Sequence, residues 1–356
     1  MRLQRLVVRG FRNLADLDCE LPAEGLALLG ANGQGKTNLL EAIAYPVLFR
    51  SFRGAADQDL TRAGGEGFHV GIAATGDAPV NVAATWTMVA RRKRIAVGGE
   101  ESARLAEAIG RWIAVAFLPE DVGLGGGPAS ERRRYLDRIL SLISRPYLAA
   151  LTRYRAALAQ RNAALRQGRP ALARMFDDPL AEAGAPVVRA RLEWTAAAAE
   201  RFGAELAILG EREVLCLGYR GNPDLAQREA WPAALEAAAA RDTTRGTTTI
   251  GPHRDDLALE LGGRPLRTAG STGQHRTAAV ALKLLELGSL AEARGSEPAL
   301  LLDDVFAELD AERQARLAKR LMNGRARQVF VTAPRDDELP RGLGVPVWHI
   351  AGGRVA

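Results

Sequence analysis

The segment Gly30–Thr37 has the residue types and spacing of a phosphate-binding loop. It matches the pattern G-x-x-x-x-G-K-[ST] at each fixed position. Glycines let backbone N–H groups surround phosphate oxygens, while the lysine reaches the β- and γ-phosphates and the threonine hydroxyl ligates Mg²⁺. The residues predicted to bind nucleotide here are Gly30, Ala31, Asn32, Gly33, Gln34, Gly35, Lys36 and Thr37.

A second segment, Ala299–Asp304, ends an apolar run with two carboxylates. Asp303 suits a Mg²⁺ ligand held through water, and Asp304 suits a base that polarises an attacking water. A strand followed by a polar turn is the simpler interpretation. The phosphate-binding loop in the same chain favours a nucleotide-hydrolysis site, with Lys36, Asp303 and Asp304 as its catalytic residues.

A third segment, Ser271-Thr272-Gly273-Gln274, stands 32 residues before Asp303. A serine hydroxyl and a glycine N–H at a helix start can grip a γ-phosphate, although an ordinary N-capped helix uses the same residues. The order of the three segments is that of ABC-type ATPases, so Ser271, Gly273 and Gln274 are predicted to bind nucleotide. Glu308–Asp310 would then be the D-loop, or else an acidic helix N-terminus.

The elements that position these residues follow from the hydrophobic pattern. Helical spacing over Asn38–Phe49 follows the loop, and residues 68–97 predict an antiparallel meander whose last strand is Met88–Val97. Residues 128–240 are rich in Ala, Leu and Arg and predict helices with breaks at Pro146, Gly168–Pro170 and Gly184–Pro186. Further strands are predicted at Leu26–Leu29, Trp112–Leu118, Leu300–Asp303, Gln328–Thr332 and Val345–Ile350.

The predicted fold is therefore α/β: an ABC-type P-loop ATPase head with a helical second lobe. Residues 1–127 carry the phosphate-binding loop and the meander, residues 128–242 form the helical lobe, and residues 243–356 complete the head. A chain of 356 residues with 47% hydrophobic content is long enough for two such lobes.

Composition also limits the class of protein. The N-terminus has no apolar signal segment, no stretch approaches about 18 charge-free apolar residues, and Cys19 and Cys216 are far apart. These features predict a cytoplasmic protein without a disulfide framework or membrane span.

Basic residues are the candidates for DNA contact. The net charge is +6, but 44 of the 48 basic residues are arginines, a bias that codon usage would also produce. Two clusters are predicted to bind DNA phosphates, unless they are solvated charged faces: Arg91, Arg92, Lys93 and Arg94, and Arg132, Arg133 and Arg134. In the polar loop Gly251–Asp256 a metal site is one interpretation, and a structural role for His253 is the favoured one.

Five stretches resemble the RecF proteins of bacterial DNA recombination and repair. They are GANGQGKTNLLEAI, FLPEDVGLGGGPASERRRYLD, GPHRDDL, STGQHRTAAVALKLLE and LLLDDVFAELD, and the resemblance runs from residue 1 to about 335. The pairing of GPHRDDL with LLDDVFAELD is far more specific than the phosphate-binding loop alone.

The resemblance implies an SMC-like ATPase head without the long coiled coil. It further implies a homodimer with ATP and Mg²⁺ sandwiched between subunits, weak DNA-stimulated hydrolysis, and DNA binding. By the same resemblance, RecO and RecR would act with the protein to promote RecA loading and the SOS response. Thr272 departs from the glycine usual in transporters. No glutamine occurs between Gln58 and Gln160 for a Q-loop, a role open to Glu120 or Asp121.

Two alternatives have distinct signatures. A transporter ATPase subunit would have a much shorter segment than the 234 residues that separate Thr37 from Ser271. A nucleotide-gated DNA clamp or scaffold with negligible hydrolysis would bind ATP without turnover, and Asp304 argues against that reading.

Overall fold

The structure is a computed structural model that describes residues 1–76, 79–306, 311–322, 327–339 and 343–355. The chain forms two compact units. The first comprises Met1–Asp121 with Glu286–Ala356, and the second comprises Val122–Leu285. The second unit therefore begins earlier and ends later than the helical lobe that the sequence predicts at residues 128–242.

The elements are numbered along the chain. The strands are β1 (Arg2–Arg9), β2 (Leu17–Glu20), β3 (Gly25–Leu29), β4 (Gly67–Thr75), β5 (Val80–Thr87), β6 (Arg92–Val97), β7 (Glu100–Glu101), β8 (Ala114–Phe117), β9 (Leu215–Arg220), β10 (Asp256–Leu261), β11 (Arg264–Pro265), β12 (Ala299–Asp303), β13 (Val329–Ala333), β14 (Val347–Ala351) and β15 (Arg354–Val355). The α-helices are α1 (Lys36–Leu48), α2 (Asp57–Leu60), α3 (Leu105–Ala108), α4 (Val122–Gly126), α5 (Ala129–Ile143), α6 (Arg145–Arg166), α7 (Pro170–Arg174), α8 (Asp177–Ile208), α9 (Trp231–Arg245), α10 (Leu266–Ala269), α11 (Thr272–Arg294) and α12 (Ala311–Met322).

One sheet of the first unit is antiparallel, in the order β2-β1-β4-β5-β6-β7. It confirms the predicted meander, since β4 pairs with β5 and β5 with β6. The last strand starts later than predicted, because Met88–Arg91 forms the connecting turn and Arg91 has a φ of 45°. Polar and apolar residues alternate along these strands because one face packs on the core.

The other sheet of the first unit is mostly parallel, in the order β15-β14-β3-β13-β12-β8. Every residue of β3, β12 and β13 is buried, as expected for strands covered on both faces. The strands predicted from apolar runs are confirmed here. Because β3, β13 and β12 are parallel neighbours, their carboxyl ends meet at one edge, where α/β proteins bind ligands.

Helix α1 follows β3 and is anchored in the core of the first unit. It starts at Lys36, two residues before the predicted start. The indole of the fully buried Trp112 donates a hydrogen bond to the Ile43 carbonyl over 3.0 Å. Tyr45 packs edge-on against Phe11 and Phe68, with ring centroids 6.2 and 5.4 Å away. These contacts fix the helix whose first turn carries Lys36 and Thr37.

The second unit is mainly helical, with a three-stranded sheet in the order β11-β10-β9. The predicted break at Gly184–Pro186 is wrong, since both residues lie inside the 32-residue helix α8. The break at Pro146 is confirmed, with Ser144 capping α6. Strand β9 was not predicted, and its antiparallel pairing with β10 groups residues beyond 242 with the helices. Among the described helices, none is long and apolar enough to cross a membrane.

Candidate nucleotide-binding site

The loop Gly30–Thr37 connects β3 to α1, so strand, glycine loop and helix occur in the predicted order. Gly35 has a φ of 113°, a conformation that residues with a side chain rarely adopt. A Cβ on Gly30 would lie 2.3 Å from the Ile350 carbonyl oxygen on β14. These two glycines are therefore required by the backbone path of the loop and by its close approach to a neighbouring strand.

Lys36 lies inside the loop. Its side chain donates hydrogen bonds to the carbonyl oxygens of Gly30 and Ala31, at 2.6 and 3.3 Å, and approaches Asn32 Oδ1 at 3.5 Å. The residue is only 5% exposed. An ammonium that the loop itself holds is placed to meet the negative charge of a bound phosphate.

Side chains outside the motif hold the loop in place. Asn13 donates to the Gly33 carbonyl over 3.2 Å and accepts from Asn38 over 2.8 Å. Gln34 accepts from the Gly352 N–H over 2.6 Å through its side chain. The sequence analysis did not predict Asn13 and Gly352 as supports of the loop, because neither lies near the motif along the chain.

The carboxylate of Asp303 lies beside the loop's threonine. Thr37 and Thr332 donate hydrogen bonds to the same oxygen, Oδ1, at 2.9 and 2.8 Å. Burial raises the pKa of Asp303, and the two hydroxyls act in the opposite direction. Thr332 ends β13 beside β12 and is a further site residue that motif reasoning did not find.

Asp304 occupies the turn directly after β12. Its φ of 48° is in the left-handed region, which aspartate tolerates better than most residues. Its N–H donates to Thr332 Oγ1 over 3.1 Å, which fixes the turn. Burial raises the pKa of Asp304, while the nearby charge of Lys36 acts to lower it. A raised pKa brings a carboxylate closer to the range in which a general base is effective.

A cavity of about 300 Å³ lies against these groups. Its lining combines the loop, the first turn of α1, one residue beyond that helix and the turn after β12: Asn32, Gly33, Gly35, Lys36, Thr37, Asn38, Arg53 and Asp304. Arg53, whose guanidinium donates to Asn38 Oδ1 over 3.3 Å, was not predicted. The structure thus brings the phosphate-binding loop and the second carboxylate to one polar cavity.

The segment Ser271–Gln274 is in the second unit, at the start of α11. Ser271 Oγ accepts from the Gln274 N–H over 3.2 Å, and Gln274 Oε1 accepts from the Ser271 N–H over 2.9 Å. This reciprocal pair is a capping box. The helix-cap interpretation accounts for both residues within one chain. It leaves the Ser271 hydroxyl proton and the Gln274 amide N–H groups able to donate to a ligand.

Two further predicted segments receive less support. The D-loop candidate Glu308–Asp310 lies outside the described residues. For the Q-loop role, Glu120 and Asp121 lie in a short 3₁₀ turn after β8. The Asp121 carboxylate accepts from the Leu118 N–H over 2.8 Å and so stabilises that turn. Neither residue is among the described residues that line the cavity.

The predicted DNA contact at Arg132 is wrong. Arg132 is 6% exposed, and its guanidinium forms a two-point ion pair with Asp256 at 2.9 and 2.8 Å. Arg133 is half-buried and donates to the Asp255 carbonyl, while Arg134 is exposed. The periodicity of α5 explains the difference, because successive residues of a helix point about 100° apart.

In the other cluster Arg91, Arg92 and Arg94 are exposed. Lys93 points the other way, as expected for alternate residues of β6. It forms a 2.8 Å ion pair with Asp57, so it serves the structure of the first unit.

The polar loop Gly251–Asp256 lies in a hydrogen-bonded network of the second unit. Both ring nitrogens of His253 are engaged, with the Tyr154 hydroxyl at 2.6 Å and the Thr248 carbonyl at 2.9 Å. The carbonyl can only accept, so the ring carries its proton on Nε2 and accepts from Tyr154 at Nδ1. Burial lowers the pKa of His253 to about 4. These contacts support the structural interpretation of His253 over metal binding.

Two units, a mostly parallel sheet with a phosphate-binding loop, and paired aspartates at the end of another parallel strand of that sheet define an ABC-type ATPase head of the SMC-like class. The model of the RecF/RecN/SMC N-terminal domain family matches residues 2–342. The head of an Smc protein solved with the C-terminal winged-helix domain of ScpA superposes with a TM-score of 0.58. The two sequences are 15% identical, and the match covers all of this chain and 97% of that chain. At this identity the comparison shows that the folds are alike and nothing more.

Two further comparisons identify the family. The chain is 35% identical over 352 residues to the DNA replication and repair protein RecF of Halalkalibacterium halodurans, covering 95% of this chain and 94% of that protein. It is 31% identical to the recombination mediator protein RecF solved with ATP in the RecFOR pathway, with a TM-score of 0.88 over 100% and 97% of the two chains. The chain belongs to the RecF family.

Proposed function

We propose that this protein is an ATP-dependent DNA-binding protein of recombinational repair and replication, in which ATP closes a homodimer on DNA and slow hydrolysis reopens it. The observation that carries the proposal is the polar cavity that combines Lys36 and Thr37 with Asp304, beside Asp303. The proposal is also supported by relatives named for DNA replication and repair and by a related RecF structure with ATP.

The residues around the cavity fit a nucleoside triphosphate with Mg²⁺. Thr37 Oγ1 and Asp303 Oδ1 lie 2.9 Å apart, and Mg²⁺ prefers such hard oxygen ligands alongside phosphates. When bound, the ion neutralises phosphate charge and favours attack at the terminal phosphorus. Lys36 would bind the phosphates as a fixed cation. Asp304 would hold the attacking water and take its proton.

Dimerisation is the proposed role of Ser271, Gly273 and Gln274. The capping box already satisfies the N–H groups of Ser271 and Gln274 within one chain. The remaining donors at this exposed helix start would bind the γ-phosphate held by the loop of a second copy. Nucleotide would then stabilise the dimer because both copies gain contacts only when it is bound.

DNA contact is proposed for the arginines that the fold leaves exposed: Arg91, Arg92, Arg94 and Arg134. Guanidinium contacts to phosphate do not depend on base sequence, so binding would be non-specific and sensitive to salt. RecO- and RecR-like partners are proposed from the RecFOR pathway of the related structure. Promotion of RecA loading and of the SOS response belongs to the same proposal.

The dimer is tested by light scattering of the full chain with a non-hydrolysable ATP analogue. Wild type is expected to double in mass at saturating analogue, and Ser271→Arg to remain monomeric. Thr152→Arg is a matched control, since Thr152 is an exposed hydroxyl on α6 that the proposed γ-phosphate contact does not use. A wild-type protein that stays monomeric, or a Ser271→Arg variant that dimerises, contradicts the proposed gate.

A further inference from the structure

The turn between β5 and β6, Met88–Arg91, presents apolar side chains to solvent. Val89 is 90% exposed and Met88 is 38% exposed, whereas Val82 and Ile95 on the flanking strands are buried. Thr87 and Arg92 form the last pair in register before the turn. The two apolar side chains therefore lie at the tip of a hairpin, where they add little to the core of the unit.

Contacts at the base of the turn hold it in one conformation. The Met88 N–H donates to the Glu66 carbonyl over 2.8 Å, and the Arg91 N–H donates to the Met88 carbonyl over 3.3 Å. Lys93 fixes β6 to the unit through Asp57, at 2.8 Å, and lies 5.3 Å from the centre of the Tyr45 ring. These contacts hold Val89 at a defined position. A side chain that inserts into a ligand requires such support from its own fold.

Arginines flank the apolar tip. Arg91 is part of the turn, and Arg92 and Arg94 face Thr87 and Thr85 across the hairpin, on its outer side. Two acidic residues lie at this end of the hairpin: Glu66, whose carbonyl accepts from the Met88 N–H, and Glu101, which lies 3.6 Å from Arg92 in a highly exposed pair. Such exposed pairs are weak and readily exchanged. Guanidinium groups bind phosphates, and the apolar tip between them can contact stacked rings. This combination matches a nucleic acid, in which phosphates flank stacked bases.

We propose that Val89 enters the base stack of bound DNA as an apolar wedge, while Arg91, Arg92 and Arg94 hold the neighbouring phosphates. The inference rests on the proposed DNA binding and specifies how the hairpin meets the duplex. Apolar side chains that insert between base pairs unstack them. The unstacking is easier where the stack is already interrupted. The hairpin therefore acts preferentially at the edge of a gap.

The test is permanganate reactivity of paired thymines beside a thymine-free gap, in a duplex bound to the full chain with a non-hydrolysable ATP analogue. Wild type is expected to make thymines reactive at one or two adjacent steps. Val89→Ser should lose this signal, while its affinity for DNA changes by less than about threefold because phosphate contacts supply most of it. Val214→Ser is the matched control, an exposed valine (78%) in the other unit, and should behave as wild type.

Arg92→Gln with Arg94→Gln separates the phosphate contacts from the wedge. This double variant should weaken binding about tenfold and lower the slope of log affinity against log salt by about 2 for each copy of the hairpin that contacts DNA. Equal thermal unfolding of all variants shows that each is folded. An unchanged salt slope would remove these arginines from the proposal.

Three other results would overturn the wedge. They are an unchanged thymine signal in Val89→Ser, a wild-type complex with no reactive thymine, and altered sedimentation of DNA-free Val89→Ser, which would make the tip a protein contact. All thymine measurements are made on bound complexes. Failure of wild type to bind DNA is therefore a separate result, which contradicts the proposed function itself.

Discussion

Asp304 is the residue on which turnover is proposed to depend. Its left-handed backbone, its N–H bond to Thr332 and its place on the cavity hold the carboxylate where a water would be activated. Asparagine has nearly the same shape and also tolerates this backbone, but it carries no charge and cannot take a proton from water. Asp304→Asn therefore removes the base with little other change.

We expect Asp304→Asn to release phosphate about 100-fold more slowly than wild type, the usual scale of a positioned base. ATP binding should persist, so the ATP-dependent dimer should last longer. Phosphate release with and without DNA, and light scattering over time, measure the two effects. Equal phosphate release in both proteins would favour a nucleotide-gated clamp whose hydrolysis does not depend on this carboxylate.

His253 predicts a pH dependence of stability in the second unit. Burial lowers its pKa to about 4, against about 6.5 when unfolded. The unfolded chain therefore binds a proton that the folded chain does not between these values. Stability attributed to His253 is full above about pH 6.5 and falls as the pH drops towards 4.

Between pH 6.5 and 4, protonation of His253 should lower the unfolding free energy of wild type by roughly 2 kcal/mol, allowing for partial exposure of the ring. His253→Gln should be less stable at pH 7.5, because glutamine replaces the bonds to Tyr154 and Thr248 imperfectly. Its stability should fall less between pH 6.5 and 5. Urea denaturation of both proteins at the two pH values measures this difference, and parallel pH slopes would contradict the assignment.

At the scale of elements, helix α8 contains two glycines in different surroundings. A Cβ on Gly184 would lie 2.4 Å from the Trp231 ring, whereas a Cβ on Gly203 would meet nothing within 4 Å. Gly184 thus lets Trp231, at the start of α9, pack directly on the helix. At Gly203 the glycine only adds flexibility to the unfolded chain.

Alanine at these positions should have opposite effects. Gly203→Ala should stabilise the protein by about 1 kcal/mol, from helix propensity alone. Gly184→Ala should destabilise it by about 1–3 kcal/mol, since the added methyl overpacks the contact. Urea midpoints of the two variants and wild type provide the comparison. Stabilisation by Gly184→Ala would mean that Trp231 moves aside at little cost.

The same helix shows what the sequence can predict. Periodicity and apolar runs predicted the strands of the parallel sheet and helix α1, because the buried positions of each element form a local pattern of apolar residues. Gly184–Pro186 was misread as a break because the partner that requires a small residue, Trp231, is distant along the chain. Arg132 was misassigned for the same reason, as its partner Asp256 is 124 residues away.

For the candidate site, local motifs identified the loop and both aspartates. They did not identify Asn13, Arg53 or Thr332, which approach the loop or the aspartates only in the folded chain. These residues carry no spacing signal. Thr332 could have been suspected, since a hydroxyl at the end of a strand predicted to be buried and parallel lies near the edge of the sheet where ligands bind.

At the scale of the whole molecule, the proposed gate couples two ligands. If ATP favours the dimer that holds DNA, then DNA must strengthen ATP binding by the same factor, because coupling between binding sites is reciprocal. A factor of about 10 lies within the usual range for such coupling.

The affinity of a fluorescent, non-hydrolysable ATP analogue, measured with and without gapped duplex, reports this factor directly. Ser271→Arg should abolish the coupling because its donors are proposed to act across the dimer, and Thr152→Arg should retain it. Equal affinity of wild type for the analogue with and without DNA, under conditions where DNA is bound, would show that ATP and DNA bind independently and that nucleotide does not gate the protein on DNA.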